Sequence, residues 1–180
     1  MANITDTISI HGDEYYTLRK YAEPIVKHLI PLPLKIWCPF NDKDSVWMDV
    51  LREYGFDPIA TDTDFFITPP PQGVQAIISN PPFSKKREVM ERIKELGLRY
   101  ALILPYLWLN DGVPFDYGHQ VMFFRERMHF NTPNGILNKA RTNCFVLSDG
   151  LLKENLIVIS KAETKGACEQ QIHLPEVRKI

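Results

Sequence analysis

Asn80-Pro81-Pro82-Phe83 is the segment of this chain best suited to chemistry on an amine. An exocyclic amine is a poor nucleophile because its lone pair is delocalised into the ring. Two hydrogen-bond acceptors that take both amine protons draw the nitrogen towards tetrahedral geometry and aim the lone pair at an incoming methyl group. The Asn80 side-chain carbonyl supplies one acceptor and the Pro81 backbone carbonyl the other. Pro82 holds the turn, so little reorganisation is required in the transition state. Phe83 offers a flat face for a base taken out of its stack. Such a transfer needs no acid, metal or covalent nucleophile in the protein.

The weight of this reading rests on position, since Asn-Pro-Pro alone is a common turn. The apolar run Val74 to Ser79 before it predicts a buried strand, and Ser84 to Gly97 after it predicts a helix with Val89, Ile93 and Leu96 inward. The motif therefore falls where a chain leaves a sheet, which is where open α/β sheets bind ligands. Upstream, apolar spacing over Glu14 to Leu29 predicts a helix broken or restarted at Pro24. Further expectations are a strand over Leu34 to Cys38, a helix over Ser45 to Tyr54 capped by Ser45 and stopped by Gly55, and a strand over Pro58 to Thr61. Thr68 to Gly73 reads as a rigid polyproline-like connection. Tyr100 to Pro105 is another apolar strand, so strands and helices alternate as in a parallel sheet. Val121 to Phe124, Cys144 to Leu147 and Asn155 to Ile159 read as strands without long helices between them, an antiparallel finish. Thr132 to Thr142 reads as a mobile loop, and the segment after Ser160 carries no assignable pattern.

Asn-Pro-Pro-aromatic after a strand resembles motif IV of the S-adenosylmethionine-dependent amino-methyltransferases. Those of the adenine-N6 type carry Asp-Pro-Phe-x-Gly-x-Gly-Thr after the first strand. Here Cys38-Pro39-Phe40-Asn41-Asp42-Lys43-Asp44-Ser45 keeps Pro39 and Phe40 and has Ser45 for Thr, with Cys38 in place of the acid and Asp42 and Asp44 in place of both glycines. Glu14-Tyr15-Tyr16-Thr17 is similar to motif X, with Leu18 where proline is usual. Over about residues 13 to 110, including Ile78-Ser79-Asn80-Pro81-Pro82-Phe83-Ser84-Lys85-Lys86, the chain resembles small methyltransferase-like proteins encoded by bacterial viruses.

The resemblance implies a Rossmann-like class I methyltransferase fold, α/β, with a mostly parallel seven-stranded-type sheet and antiparallel C-terminal strands. It implies methylation of the N6 amine of adenine in nucleic acid, DNA favoured over RNA, by Asn80, Pro81, Pro82 and Phe83. S-adenosylmethionine would be held by Tyr16, Thr17, Cys38, Pro39, Phe40, Ser45, Asp62, Asp64 and Phe65. In that assignment Asp62 meets the ribose hydroxyls, and Asp64 and Phe65 the adenine. Phe83, Lys85, Lys86 and Phe130 would meet substrate, with Arg87, Arg125, Arg127, Lys139 and Arg141 as further phosphate contacts. Leu104-Pro105 resembles the end of the family's fifth strand. Each residue also has a plain alternative: helix packing for Tyr15 and Tyr16, loop capping for the aspartates, core packing for Phe130 and solvated faces for the cations. Two other functions stay open. One is a degenerate methyltransferase-like binding or decoy protein without catalysis, suggested by Asp42 and Asp44. The other is glutamine-N5 methylation in proteins, where Phe83 stands in place of the typical Tyr.

Composition bounds the rest. The chain has 180 residues, 44% hydrophobic and 24% charged, with a net charge of -1. That suits one domain burying about two-thirds of its unfolded surface, with residues 1–12 flexible. The charge balance is not that of a dedicated polyanion binder, though it allows a local basic rim. Cys38, Cys144 and Cys168 are too scattered for a disulfide framework or zinc site, and the five histidines show no ligand spacing, so no metal is expected. With no membrane span and no export signal, the expected location is cytoplasmic, the host cytoplasm if the chain is virus-encoded.

Overall fold

The computed structural model describes residues 16–31, 34–111, 113–132, 135–137 and 143–166. The expectations for residues 1–12, Tyr15, Lys139, Arg141 and Cys168 lie outside these. The described chain begins with strand β1 (Tyr16–Thr17) and helix α1 (Arg19–Lys27). The expected break at Pro24 does not occur: α1 runs through it, and residues 16 and 17 are strand instead of helix. Pro24 forfeits one helical hydrogen bond, which the burial of Tyr21, Ala22, Ile25 and Val26 on the same helix offsets.

Strand β2 (Lys35–Cys38) leads through a loop to helix α2 (Val46–Glu53), which buries Trp47, Met48, Val50 and Leu51. Ser45 occupies the N-cap position with extended backbone, but its side chain makes no capping hydrogen bond. Strand β3 (Asp57–Ala60) tolerates Pro58 because β3 is a sheet edge, where a missing amide need cost no ladder bond. Strand β4 (Ala76–Ser79) is buried throughout. A 3-10 turn over Phe83–Lys85 then delays helix α3 to Lys86–Leu96, two residues later than the periodicity suggests. Gly97, at φ 63°, ends α3 in a left-handed conformation, its N–H shared between the carbonyls of Ile93 and Lys94.

Strand β5 (Arg99–Pro105) is followed by 3-10 turns, β6 (Gln120–Phe124), β7 (Phe130–Thr132), β8 (Gly135–Leu137), β9 (Cys144–Asp149), β10 (Leu156–Ile159) and helix α4 (Lys161–Gly166). Two of these revise expectations: part of the stretch expected as a mobile loop is the β7–β8 hairpin, and the unassigned tail begins with α4.

The result is an α/β fold with a mixed, mostly parallel sheet in the order β10-β6-β9-β5-β4-β2-β3, and a small sheet β1-β7-β8. The antiparallel finish is narrower than expected. Only β9 runs against its neighbours, and β10 pairs parallel to β6. Strand β9 is already paired on both sides by β5 and β6, so the returning strand must pass to the outer side of β6. Gln120 braces that passage: its Oε1 accepts from the amides of Leu151 and Leu152 at 3.0 and 3.1 Å, and its Nε2 donates to the Leu152 carbonyl at 2.8 Å.

Strand residues alternate between two cores. Ile36, Cys38, Ala76, Ile78, Ala101 and Ile103 pack with α1 and α2, whereas Trp37, Ile77, Tyr100, Leu102 and Leu104 pack with α3. Helices thus cover both faces, and the strand ends are left to build a site.

Candidate active site

Strand β2 is the pivot of the sheet: β3 follows it on one side, and β4 lies on its other side. Loops leaving the C-terminal ends of β2 and β4 therefore diverge, which opens a crevice at that point. Asn41, in the loop after β2, accepts a hydrogen bond of 2.6 Å from the hydroxyl of Ser79, the last residue of β4. Ser79 is wholly buried and Asn80 is 7% exposed. The two loops are thereby fastened at the residue before Asn80.

Pro82 (φ -59°, ψ 119°) turns the chain into the 3-10 segment, with the Lys85 amide donating to the Pro82 carbonyl at 3.1 Å. Phe83 is 5% exposed and belongs to the core beside α1 and α2. Its ring is thus committed to core packing, which departs from the expected open face for a base. Lys86 Nζ donates to the Phe83 carbonyl at 3.5 Å, and Lys85 Nζ lies 5.2 Å from the centre of the Phe66 ring.

The loop that carries Asn41 borders a cavity of about 1110 Å³, and Asn80, Pro81, Pro82 and Phe83 do not line it. Its walls are the loop from Pro39 to Trp47, the loop from Ala60 to Asp64, and Tyr16, Thr17 and Asn131 of the small sheet. That volume is slightly above the roughly 300–1,000 Å³ usual for small-molecule sites and ample for a nucleoside-sized ligand. Asp42, Asp44, Asp62 and Asp64 line it, with Lys43 the one cation among the described lining residues, so this lining favours a ligand with positive charge. Asp42 and Asp44 are exposed, and no described non-glycine residue has positive φ. The loop therefore follows a path open to any L-residue, which explains how aspartates occupy positions that are glycine in the resembling family.

Several expected residues line the cavity: Tyr16, Thr17, Pro39, Phe40, Ser45, Asp62 and Asp64. Asp64 is partly engaged, since its Oδ1 accepts the Phe66 amide at 2.8 Å in a local turn. Others stand behind the walls. Phe65 is 3% exposed and packs against Phe40 and Trp37, with ring centres 4.8 and 5.3 Å away. Phe130 is fully buried in the core. Cys38 is fully buried beneath the loop, and desolvation pushes its thiol up to about 12, so it takes no part as an anion. Arg87, Arg125 and Arg127 are exposed.

Trp47 is the residue the sequence reading missed. It lines the cavity and is 1% exposed, yet its indole Nε1 has no hydrogen-bond partner. Thr17 Oγ1 and Ser45 Oγ, on the same cavity, are likewise buried without partners. Leaving a buried polar group unmade costs roughly 1–3 kcal/mol each, so these three call for partners, water or ligand, beyond the described side chains. The sequence signal was available: an indole one position into the first turn after the loop, read only as part of a helix.

Among the described residues no group of side chains has metal-ligand geometry, and no helix is long and apolar enough to cross a membrane. No protein-family model matches the chain, and no curated protein is significantly similar to it.

Proposed function

We propose that this chain is a Rossmann-like S-adenosylmethionine-dependent methyltransferase acting on the N6 amine of adenine in nucleic acid, with DNA favoured over RNA on resemblance alone. The observation that carries the reading is the junction of two features. Asn80-Pro81-Pro82-Phe83 leaves the interior strand β4, and the acid-lined cavity opens after the neighbouring strand β2, the two linked through the Ser79–Asn41 hydrogen bond. In the sheet order β3-β2-β4-β5-β9-β6-β10, the first six strands with β9 reversed are compatible with a Rossmann-like class I core, and β10 adds a parallel edge strand.

The residues present fit the cofactor. Its net positive charge suits a described lining with four aspartates and Lys43, the Asp62 carboxylate on that lining is an acceptor of the kind ribose hydroxyls need, and the buried polar atoms without a printed partner suit its amino-acid end. When bound, S-adenosylmethionine supplies an already activated methyl group. The chain's own part is alignment. Asn80 Oδ1 and the Pro81 carbonyl accept the amine protons, the proline turn holds both acceptors rigid, and Lys85, Arg87 and their neighbours meet phosphates.

A second reading, a methyltransferase-like binding protein without catalysis, is favoured by one observation: both glycines of the cofactor loop are the exposed carboxylates Asp42 and Asp44. Calorimetry with S-adenosylmethionine separates the two readings, and labelled methyl transfer onto DNA, RNA and protein pools then identifies the substrate class. Asn80→Ala should lower transfer by about 100-fold or more, as expected for loss of a preorganised group, with cofactor affinity changed less than about threefold. Retained transfer in that variant, or no cofactor binding by folded wild-type protein, refutes the assignment.

A further inference from the structure

We propose that strand β10 is the surface through which this chain pairs with a second copy of itself, edge to edge and antiparallel, about a two-fold axis at Ile157. The pairing is independent of the methyltransferase reading. The large sheet has two edges, and the sequence treats them differently. On β3, Pro58 removes a backbone donor and Asp57 places a charge on the strand, both of which discourage edge pairing. Strand β10 has neither, since Leu156–Ile159 reads Leu-Ile-Val-Ile. Among the described residues no strand pairs with its outer side. An apolar edge of that kind is a template for another strand.

The backbone fixes which groups are on offer. The carbonyls of Asn155 and Ile159 face inward, accepting the amides of Val121 and Arg125 at 2.8 and 3.0 Å. Strand alternation therefore turns the amides and carbonyls of Leu156 and Val158 outward, away from β6. Their side chains are also the exposed ones, at 59% and 50%, and they extend the half-buried row of Val121 and Phe123. Pairing is bounded at both ends: residues 153–155 bend, and Ser160 gives its amide and hydroxyl to Glu163 at 2.8 and 2.7 Å. Within those bounds, an axis at Ile157 sets Leu156 against the partner's Val158 and Val158 against the partner's Leu156, each pair exchanging both backbone bonds. Their apolar side chains then meet on one face. The same register brings the exposed Glu154 to the start of the partner's α4, beside the partner's Lys161, which is exposed as well. The strand is thus flanked by charges that complement themselves under two-fold symmetry, and a second copy is the occupant that satisfies bonds, apolar row and charges together.

A contact this short lies at the low end of specific interfaces, below about 1,200 Å², so the dimer is weak and depends on concentration. Sedimentation equilibrium of the full chain between about 5 μM and about 1 mM should show a monomer–dimer equilibrium. Val158→Lys places a charge at an exposed position of the edge, and Val158→Pro removes an amide that points out of the sheet and so costs no bond to β6. Each should weaken association at least about 10-fold. Glu154→Lys should weaken it about threefold at low salt, and Glu154→Lys combined with Lys161→Glu should restore it. Should Val158→Pro fail to fold, Val158→Lys carries the test alone. A wild type that stays monomeric throughout, a dimer that Val158→Lys leaves intact, or a charge swap that fails to restore affinity overturns the proposal.

Discussion

Removing the Ser79 hydroxyl tests whether the site's two loops are held together energetically. Ser79 is wholly buried, and its hydroxyl donates to Asn41 Oδ1 at 2.6 Å, a side-chain bond between the end of β4 and the cavity loop. A buried neutral hydrogen bond contributes about 0.5–1.5 kcal/mol net. Asn41 is only half-buried, so its freed oxygen can regain water, and Ser79→Ala should cost about 1 kcal/mol. With a urea slope of about 2 kcal/mol/M, the unfolding midpoint falls by about 0.5 M. Asn41→Ala should cost a similar amount, and the double variant little more than either, giving a coupling of about 1 kcal/mol in a double-mutant cycle. If the proposed methyl transfer at Asn80 holds, Ser79→Ala should also slow it about 10-fold at saturating cofactor, because the bond sits one residue before the acceptor. Additive single and double variants, with a coupling near zero, would refute the claim that this bond fastens the loops.

Two further outcomes follow from charge. If the acidic cavity discriminates a sulfonium donor from its neutral-sulfur product, Asp42→Asn/Asp44→Asn should reduce the S-adenosylmethionine to S-adenosylhomocysteine affinity ratio about two- to fourfold at low salt, and the difference should shrink at 0.5 M salt; an unchanged ratio at low salt counts against that electrostatic role. Glu23 gives the second. Burial alone pushes its carboxyl up, but Lys27, Tyr54 and Arg19 outweigh that and hold it below the ordinary value of 4.5. Its stabilising contribution is therefore present above that value and lost as pH falls through the lowered one. Thermal stability should decline below about pH 4.5 less steeply in Glu23→Gln than in the wild type, and parallel declines would exclude Glu23 as a source.

What the sequence made legible was local. The chain itself announced that Gly97 would stop α3, that β4 would be buried, and that Asn80 to Phe83 would sit at the end of a strand. What escaped it was set by distant partners. Tyr16 and Thr17 looked helical because their apolar spacing continued into α1, but they pair with Asn131 and Phe130, more than a hundred residues away. Pro24 looked like a break because its neighbours' burial is a tertiary fact. Phe65, Phe83 and Phe130 were read as ligand-facing rings, and a flat ring next to a motif carries no mark in sequence of whether its faces are already packed. Trp47 shows the converse: its helix position was legible, whereas the unfilled N–H became visible only with its surroundings.

The link from β3 to β4 explains why both cavity walls are acidic and close together. It spans residues 61–75 without helix or strand, and crosses from one side of β2 to the other. Its start is pinned by Asp64, whose backbone and side-chain oxygens accept the amides of Thr68 and Phe66. Its end is pinned to the start of β2, where Lys35 Nζ donates to the Gln72 carbonyl and the Gln75 amide to the Lys35 carbonyl. Between these anchors Pro69, Pro70 and Pro71 remove backbone freedom, so the link has little slack to withdraw. Asp62 and Asp64, which follow β3, consequently line the same cavity as the loop after β2 that carries Asp42 and Asp44. A longer crossover with its own helix would let that wall stand farther off. The shortened one brings four carboxylates around a single cavity, and that concentration of negative charge is the strongest reason in the fold for a cationic ligand.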